Sequence, residues 1–158
     1  MDTETQPKPK PTYEIRVLRL NEMPAPDAAV DTPEKSLAYW REVIEKMPWF
    51  IPDREICAVI LLNTRLRPVG CALVSIGSLN ESIVHPRDVF RPAIALGNAY
   101  AVVLLHNHPS GNPAPSEADT RLTRRICEGA AMLQITLLDH LIVGEGQTFY
   151  SFKMAGLI

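Results

Sequence analysis

The chain has little cysteine and uses it without pattern. Its three cysteines, Cys57, Cys71 and Cys127, are odd in number and far apart, and no Cys-x-x-Cys pair occurs. That argues against a disulfide framework and against thiolate-held zinc. It also argues against the nucleobase deaminases, whose metal site needs such a pair. The expectation is three buried free thiols in a reducing compartment. No apolar run approaches the roughly 20 residues that span a bilayer. The N-terminus carries no signal-peptide core, so a cytoplasmic protein with no membrane partner is expected. An excess of charge is missing as well. Sixteen Lys and Arg stand against 18 Asp and Glu, a formal net charge of −2. This is not the footprint of a nucleic-acid binder. Arg121, Arg124 and Arg125 fall on one predicted helix and read as its solvated surface.

What is present is ordinary core-forming material. The 158 residues are 46% hydrophobic and 22% charged, enough for one compact domain. Met1 to Thr12 alternates Pro and Lys and cannot bury apolar area, so residues 1–12 read as a disordered tail. Tyr13 to Leu20 reads as an edge strand. Thr32 and Pro33 open a helix whose stripe is Leu37, Trp40, Val43, Ile44 and Met47, with Pro48 ending it. Residues 13–49 are therefore expected to form a strand–helix extension that packs on a core domain of residues 50–158.

Within that domain, Asp53 to Asn63, charged at its head and apolar behind, and Val69 to Ile76 predict a strand hairpin. Residues 77–84 predict a short extended segment, and Pro86 to Leu96 a helix kinked at Pro92. Tyr100 to Leu105 is a continuous apolar run and reads as a buried strand. A helix is expected over about 116–131, strand pieces over 134–138 and 140–143, and a last strand over 147–152. Asp139-His140 reads as a buried, hydrogen-bonded pair. Strands and helices alternate, which predicts an α/β fold with a mixed sheet flanked by helices.

One stretch stands apart: His106-Asn107-His108-Pro109, a turn-rich loop, then Ser116-Glu117-Ala118-Asp119. If the strand runs to its end, period two puts His106 and His108 on one face and turns Asn107 away. Ser116 is a good N-cap, and Asp119 sits in the first helical turn. Two imidazoles and a carboxylate make a three-ligand set for a metal such as Zn²⁺, leaving a fourth position for water. Taken separately, His-x-His and Ser-x-x-Asp are more often structural, the second as a plain capping pattern. In this order and spacing they form a rarer constellation.

The spacing resembles the JAMM signature of the JAB/MPN metallopeptidase superfamily. His106 to Pro113, Val84-His85-Pro86-Arg87-Asp88 and Asp139 to Gly144 are similar to its RadC branch. The resemblance covers roughly residues 50–158 and implies the JAB/MPN three-layer, cytidine-deaminase-like architecture. It implies zinc on His106, His108 and Asp119, with Ser116 helping to hold a developing oxyanion. JAMM proteins place a general-base glutamate near the start of an early strand, where Glu55 stands; Glu81 is the rival. The implied activity is zinc-dependent hydrolysis of an amide, with a peptide or ubiquitin-like isopeptide as substrate.

Two other readings accompany it. One is a DNA-repair-associated accessory factor, after an old label on RadC-like proteins. The region before residue 50 does not read as the helix-hairpin-helix module of larger relatives, which weighs against it. The other is an inactive MPN interaction module, but degenerate members usually lack a ligand and here the set is whole. Neither the substrate nor the oligomeric state follows from the residues.

Overall fold

The computed structural model describes residues 26, 28–77 and 84–158. The expected tail, the strand over 13–20 and Glu81 with most of the 77–84 segment lie outside them. The architecture follows from two strands too apolar to face water. β1 (Ile56–Leu62) and β3 (Ala101–Asn107) are buried along their whole length, so the sheet they form needs cover on both faces. With β2 (Pro68–Ile76), β4 (Thr136–Val143) and β5 (Phe149–Ser151) they make one five-stranded sheet in the order β2-β1-β3-β4-β5. β3 is central. It pairs antiparallel with β1 and parallel with β4, so the sheet is mixed as expected.

Alternating side chains sort the two faces. Ile56, Ala58, Ile60, Val103 and Leu105 pack with Leu37, Trp40 and Ile44 of the first helical segment. Cys57, Val59, Val102 and Leu104 pack with Val89 and Phe90 of α2 (Pro86–Leu96) and Leu122 and Ile126 of α3 (Glu117–Leu133). Helix α1 (Pro33–Glu42) thus covers one face, and α2 with α3 the other. The fold is α/β in three layers.

Several details depart from expectation. The first helix does not run to Met47. It stops at Glu42, Val43 adopts φ −116°, and a 3-10 turn spans Ile44–Lys46. The turn brings Glu45 back against Trp40 Nε1 and the Arg41 guanidinium, which both donate to Oε1. Helix α3 reaches Leu133, because its first left-handed residue is Gln134 at φ 54°. Only Cys57 is fully buried; Cys71 and Cys127 are half-buried, and all three are free thiols.

The strand pieces around Asp139 are one continuous strand carrying a bulge. Val102 pairs with Leu137 and Val103 with Asp139, so Leu138 is the extra residue. A bulge of this kind resets which face later side chains occupy. Asp139 and His140 are both buried, and the His140 backbone hydrogen-bonds the Asp139 carboxylate. Asp139 accepts from Ser151 Oγ at 2.6 Å and Lys153 N at 3.0 Å. His140 aligns with Leu104 and turns to the α3 face.

Candidate metal centre

The centre lies where β3 and its parallel neighbour β4 end, the position at which open α/β sheets place ligands. His106 is the last inward residue of β3 on the α3 side and is fully buried. His108 lies just past the strand, and its N–H donates to Val143 O at 3.1 Å, extending the line of the strand. Its Nδ1–H donates to the Asn112 carbonyl at 2.8 Å, which leaves Nε2 free to face His106.

Across the loop, Ser116 and Asp119 form a reciprocal capping box at the start of α3. Asp119 N–H donates to Ser116 Oγ at 3.1 Å. Asp119 Oδ2 accepts from Ser116 N at 2.7 Å and from the Ser116 hydroxyl at 2.6 Å. The box fixes a carboxylate that is only 1% exposed. Its Oδ1 lies 3.2 Å from His106 Nε2 and its Oδ2 3.6 Å from His108 Nε2, while the two Nε2 atoms are 3.1 Å apart. Ligand atoms about 2.0–2.1 Å from a tetrahedral ion sit about 3.3 Å from one another. The three donors fit such an ion in both chemistry and spacing.

Glu55 reaches the same place through sheet register. β1 runs antiparallel to β3 and puts Cys57 opposite His106. Two residues earlier on the same face, Glu55 falls beside the imidazoles. One ligand atom each from Glu55, His106, His108 and Asp119 lie within 4.8 Å of one another, the sole such cluster among the described residues.

The backbone under Glu55 is held by Asn107, which points to the opposite face. Asn107 Oδ1 accepts from Ile56 N at 2.8 Å, and its Nδ2 donates to Arg54 O at 3.0 Å. Gly77 N–H donates to Glu55 O at 2.8 Å. Removing the amide leaves a buried N–H unpaired at a cost of about 1–3 kcal/mol. Asn107→Ala is expected to keep the metal stoichiometry of the wild type. The Glu55 carboxylate is displaced there while His106, His108 and Asp119 are not. Metal content per chain checks this; loss of the metal would refute it.

Electrostatics favour a cation among these groups. Burial pushes the Asp119 carboxyl up, but the His106 and His108 imidazoles and the Ser116 hydroxyl outweigh it and hold it well below the usual carboxylate range. The Asp119 carboxylate raises the His108 pKa above its ordinary value, against the opposing effect of burial. His140 is lowered well below the imidazole range, first by burial and then by His106. A proton on His108 therefore competes with a metal, whereas Asp119 stays ionised. Below the raised His108 value, metal affinity should weaken by up to about tenfold per pH unit, since the ligand must first lose its proton. A chelator-competition titration from pH 5 to 8 reads the slope; an affinity flat across that range contradicts it.

A cleft of about 520 Å³ opens beside His108, walled by Arg41, Glu45, Phe50 and Glu145. Arg41 ties this wall together by donating to Gly144 O at 2.8 Å and Gly146 O at 2.7 Å. Gly144 is required by close approach: a Cβ there would stand 2.4 Å from Thr148 Oγ1 and 2.7 Å from Gly111 O. The structure thus brings His106, His108, Asp119, Glu55 and Ser116 together. Three neighbours were not placed at the site from sequence. Asn107 sits inside the motif, Thr123 lies one helical turn after Asp119, and His140 belongs to a family-like string.

A three-layer α/β domain with an open cluster of two His, one Asp and one Glu is the class that this fold and site define. The profile of the RadC-like JAB domain matches residues 30–157. A UPF0758 protein of Desulfitobacterium hafniense (strain DSM 10664 / DCB-2) is 44% identical over 116 residues, 73% of this chain and 49% of the relative. One from Desulforudis audaxviator is 44% identical over 128 residues, 81% of this chain and 53% of the relative. One from Trichlorobacter lovleyi is 48% identical over 105 residues, 66% and 45% respectively. The chain belongs to the RadC-like JAB domain family, and it spans about half the length of these curated relatives. The matched residues include helix α1.

Proposed function

We propose that this centre is a zinc-dependent amide hydrolase site, with His106, His108 and Asp119 as ligands and Glu55 as general base. The observation that carries the reading is the convergence of four donors at one strand end, three of them at the mutual spacing of a tetrahedral set. Bound there, zinc would make a water acidic near neutral pH and polarise an amide carbonyl. Glu55, half-buried in the same cluster, takes the water's proton and delivers it to the departing amine. Asn107 keeps that carboxylate at its post.

Ser116 already donates its hydroxyl to Asp119 Oδ2. To donate to an oxyanion, that hydroxyl must turn away, while Ser116 N–H goes on holding the carboxylate. The cleft beside His108 would receive the chain flanking the scissile bond, a peptide or an isopeptide to a ubiquitin-like tail. The test is to incubate the zinc-loaded chain with short peptides and with ubiquitin-like conjugates, with and without a chelator. Chelator-sensitive cleavage is expected. Cleavage that ignores the chelator, or none across both substrate sets, contradicts the proposal.

A further inference from the structure

His140 is not among the ligands, yet its ring lies fully buried against one of them. The bulge at Leu138 is what turns it to the α3 face. There it stacks on Phe152, ring centroids 4.8 Å apart and planes 7° from parallel. Its Nε2 lies 2.9 Å from His106 Nδ1, and its Nδ1 lies 2.6 Å from Thr123 Oγ1. Thr123 Oγ1 is in turn 2.7 Å from the Asp119 carbonyl oxygen.

We infer that Thr123 and His140 form a directed hydrogen-bond relay that keeps a proton on His106 Nδ1 and so presents Nε2 to the centre. The direction follows from which atoms can donate. A carbonyl oxygen only accepts, so at 2.7 Å the Thr123 proton must lie toward Asp119 O; otherwise two lone pairs would face each other. Threonine in a helix commonly bonds back to the preceding turn in this way. The hydroxyl then offers His140 only a lone pair, so His140 Nδ1 carries the proton. His140 is fully enclosed, and with its proton on Nδ1 its Nε2 accepts. His106 Nδ1 must therefore donate, which leaves Nε2 as the ring atom that faces the centre, 3.2 Å from Asp119 Oδ1 and 3.1 Å from His108 Nε2.

His140 is thus a positioning residue and Thr123 the group that orients it. The relay joins both ends of the ligand set, because it starts on the backbone of Asp119 and ends on the ring of His106. Such outer partners typically change metal affinity about 10–100-fold when lost. The consequence for zinc rests on the function proposed above, but the Nδ1 proton can be read without any metal.

The test uses the full chain, wild type and the variants Thr123→Ser and Thr123→Val. Imidazole ¹⁵N spectra of the metal-free proteins, taken above the usual imidazole range, assign the proton on each of only four histidines. Zinc affinity is measured by competition with a chromophoric chelator. Wild type and Thr123→Ser should both show His106 protonated on Nδ1, with affinities within about twofold. Thr123→Val should lose the fixed Nδ1 proton and bind zinc about tenfold more weakly. A His106 Nδ1 without a proton in wild type overturns the inference, as does a Val variant that keeps either the wild-type proton or the wild-type affinity. If wild type takes up no zinc, the metal reading fails and the relay stands or falls on the spectrum.

Discussion

On the proposed roles, Glu55→Gln is expected to retain the metal and to lose amide hydrolysis by about 10²–10⁴-fold, the usual contribution of a positioned general base. His106, His108 and Asp119 make a triangle of donor atoms at ligand spacing, and Glu55 completes the cluster of four. Glutamine keeps the length and shape of the side chain but cannot accept a proton at neutral pH. KM should move little, because the cleft walls belong to other residues. Zinc per chain, kcat and KM measured together decide the matter. Turnover equal to wild type removes Glu55 from the mechanism; loss of zinc makes it a ligand.

Asp119→Ala loses both the metal and part of the fold. The carboxylate closes the ligand triangle and also half of the capping box at the start of α3. Losing a cap costs about 0.5–2 kcal/mol. The buried His106 also loses its charge partner, which leaves a polar atom poorly satisfied at a further cost of roughly 1 kcal/mol or more. Together this should lower Tm by roughly 5–10 °C for a chain of this size. Asp119→Asn separates the two roles. Asparagine is a competent capping residue, so most of the Tm should return while the metal does not. A stable Asp119→Ala protein with one zinc per chain would contradict the assignment.

The strand–loop–helix motif was legible because each part is local. The continuous apolar run from Tyr100 to Leu105 gave the strand, and Ser116 with Asp119 gave the helix start, both read from neighbours in sequence. The mixed sheet followed from the order of such elements. The place of Glu55 was not legible from its own surroundings. It depends on the register that sets Cys57 against His106 across some fifty residues, and only family resemblance pointed to it. Asn107 could be seen to turn away, but its partners at 54 and 56 come from the same distant pairing. His140 was hidden by the bulge at Leu138, since unbroken alternation from Leu137 would have sent it to the other face. The 3-10 turn after Glu42 was missed because Val43 and Ile44 continue the apolar stripe of a helix.

The central claim is that three side chains hold one ion. Crystals of the chain grown with zinc, measured on both sides of the zinc absorption edge, test it directly. The account predicts one anomalous peak per chain, about 2.0–2.1 Å from His106 Nε2, His108 Nε2 and an Asp119 oxygen. No peak there, or a peak held by other residues, would contradict it.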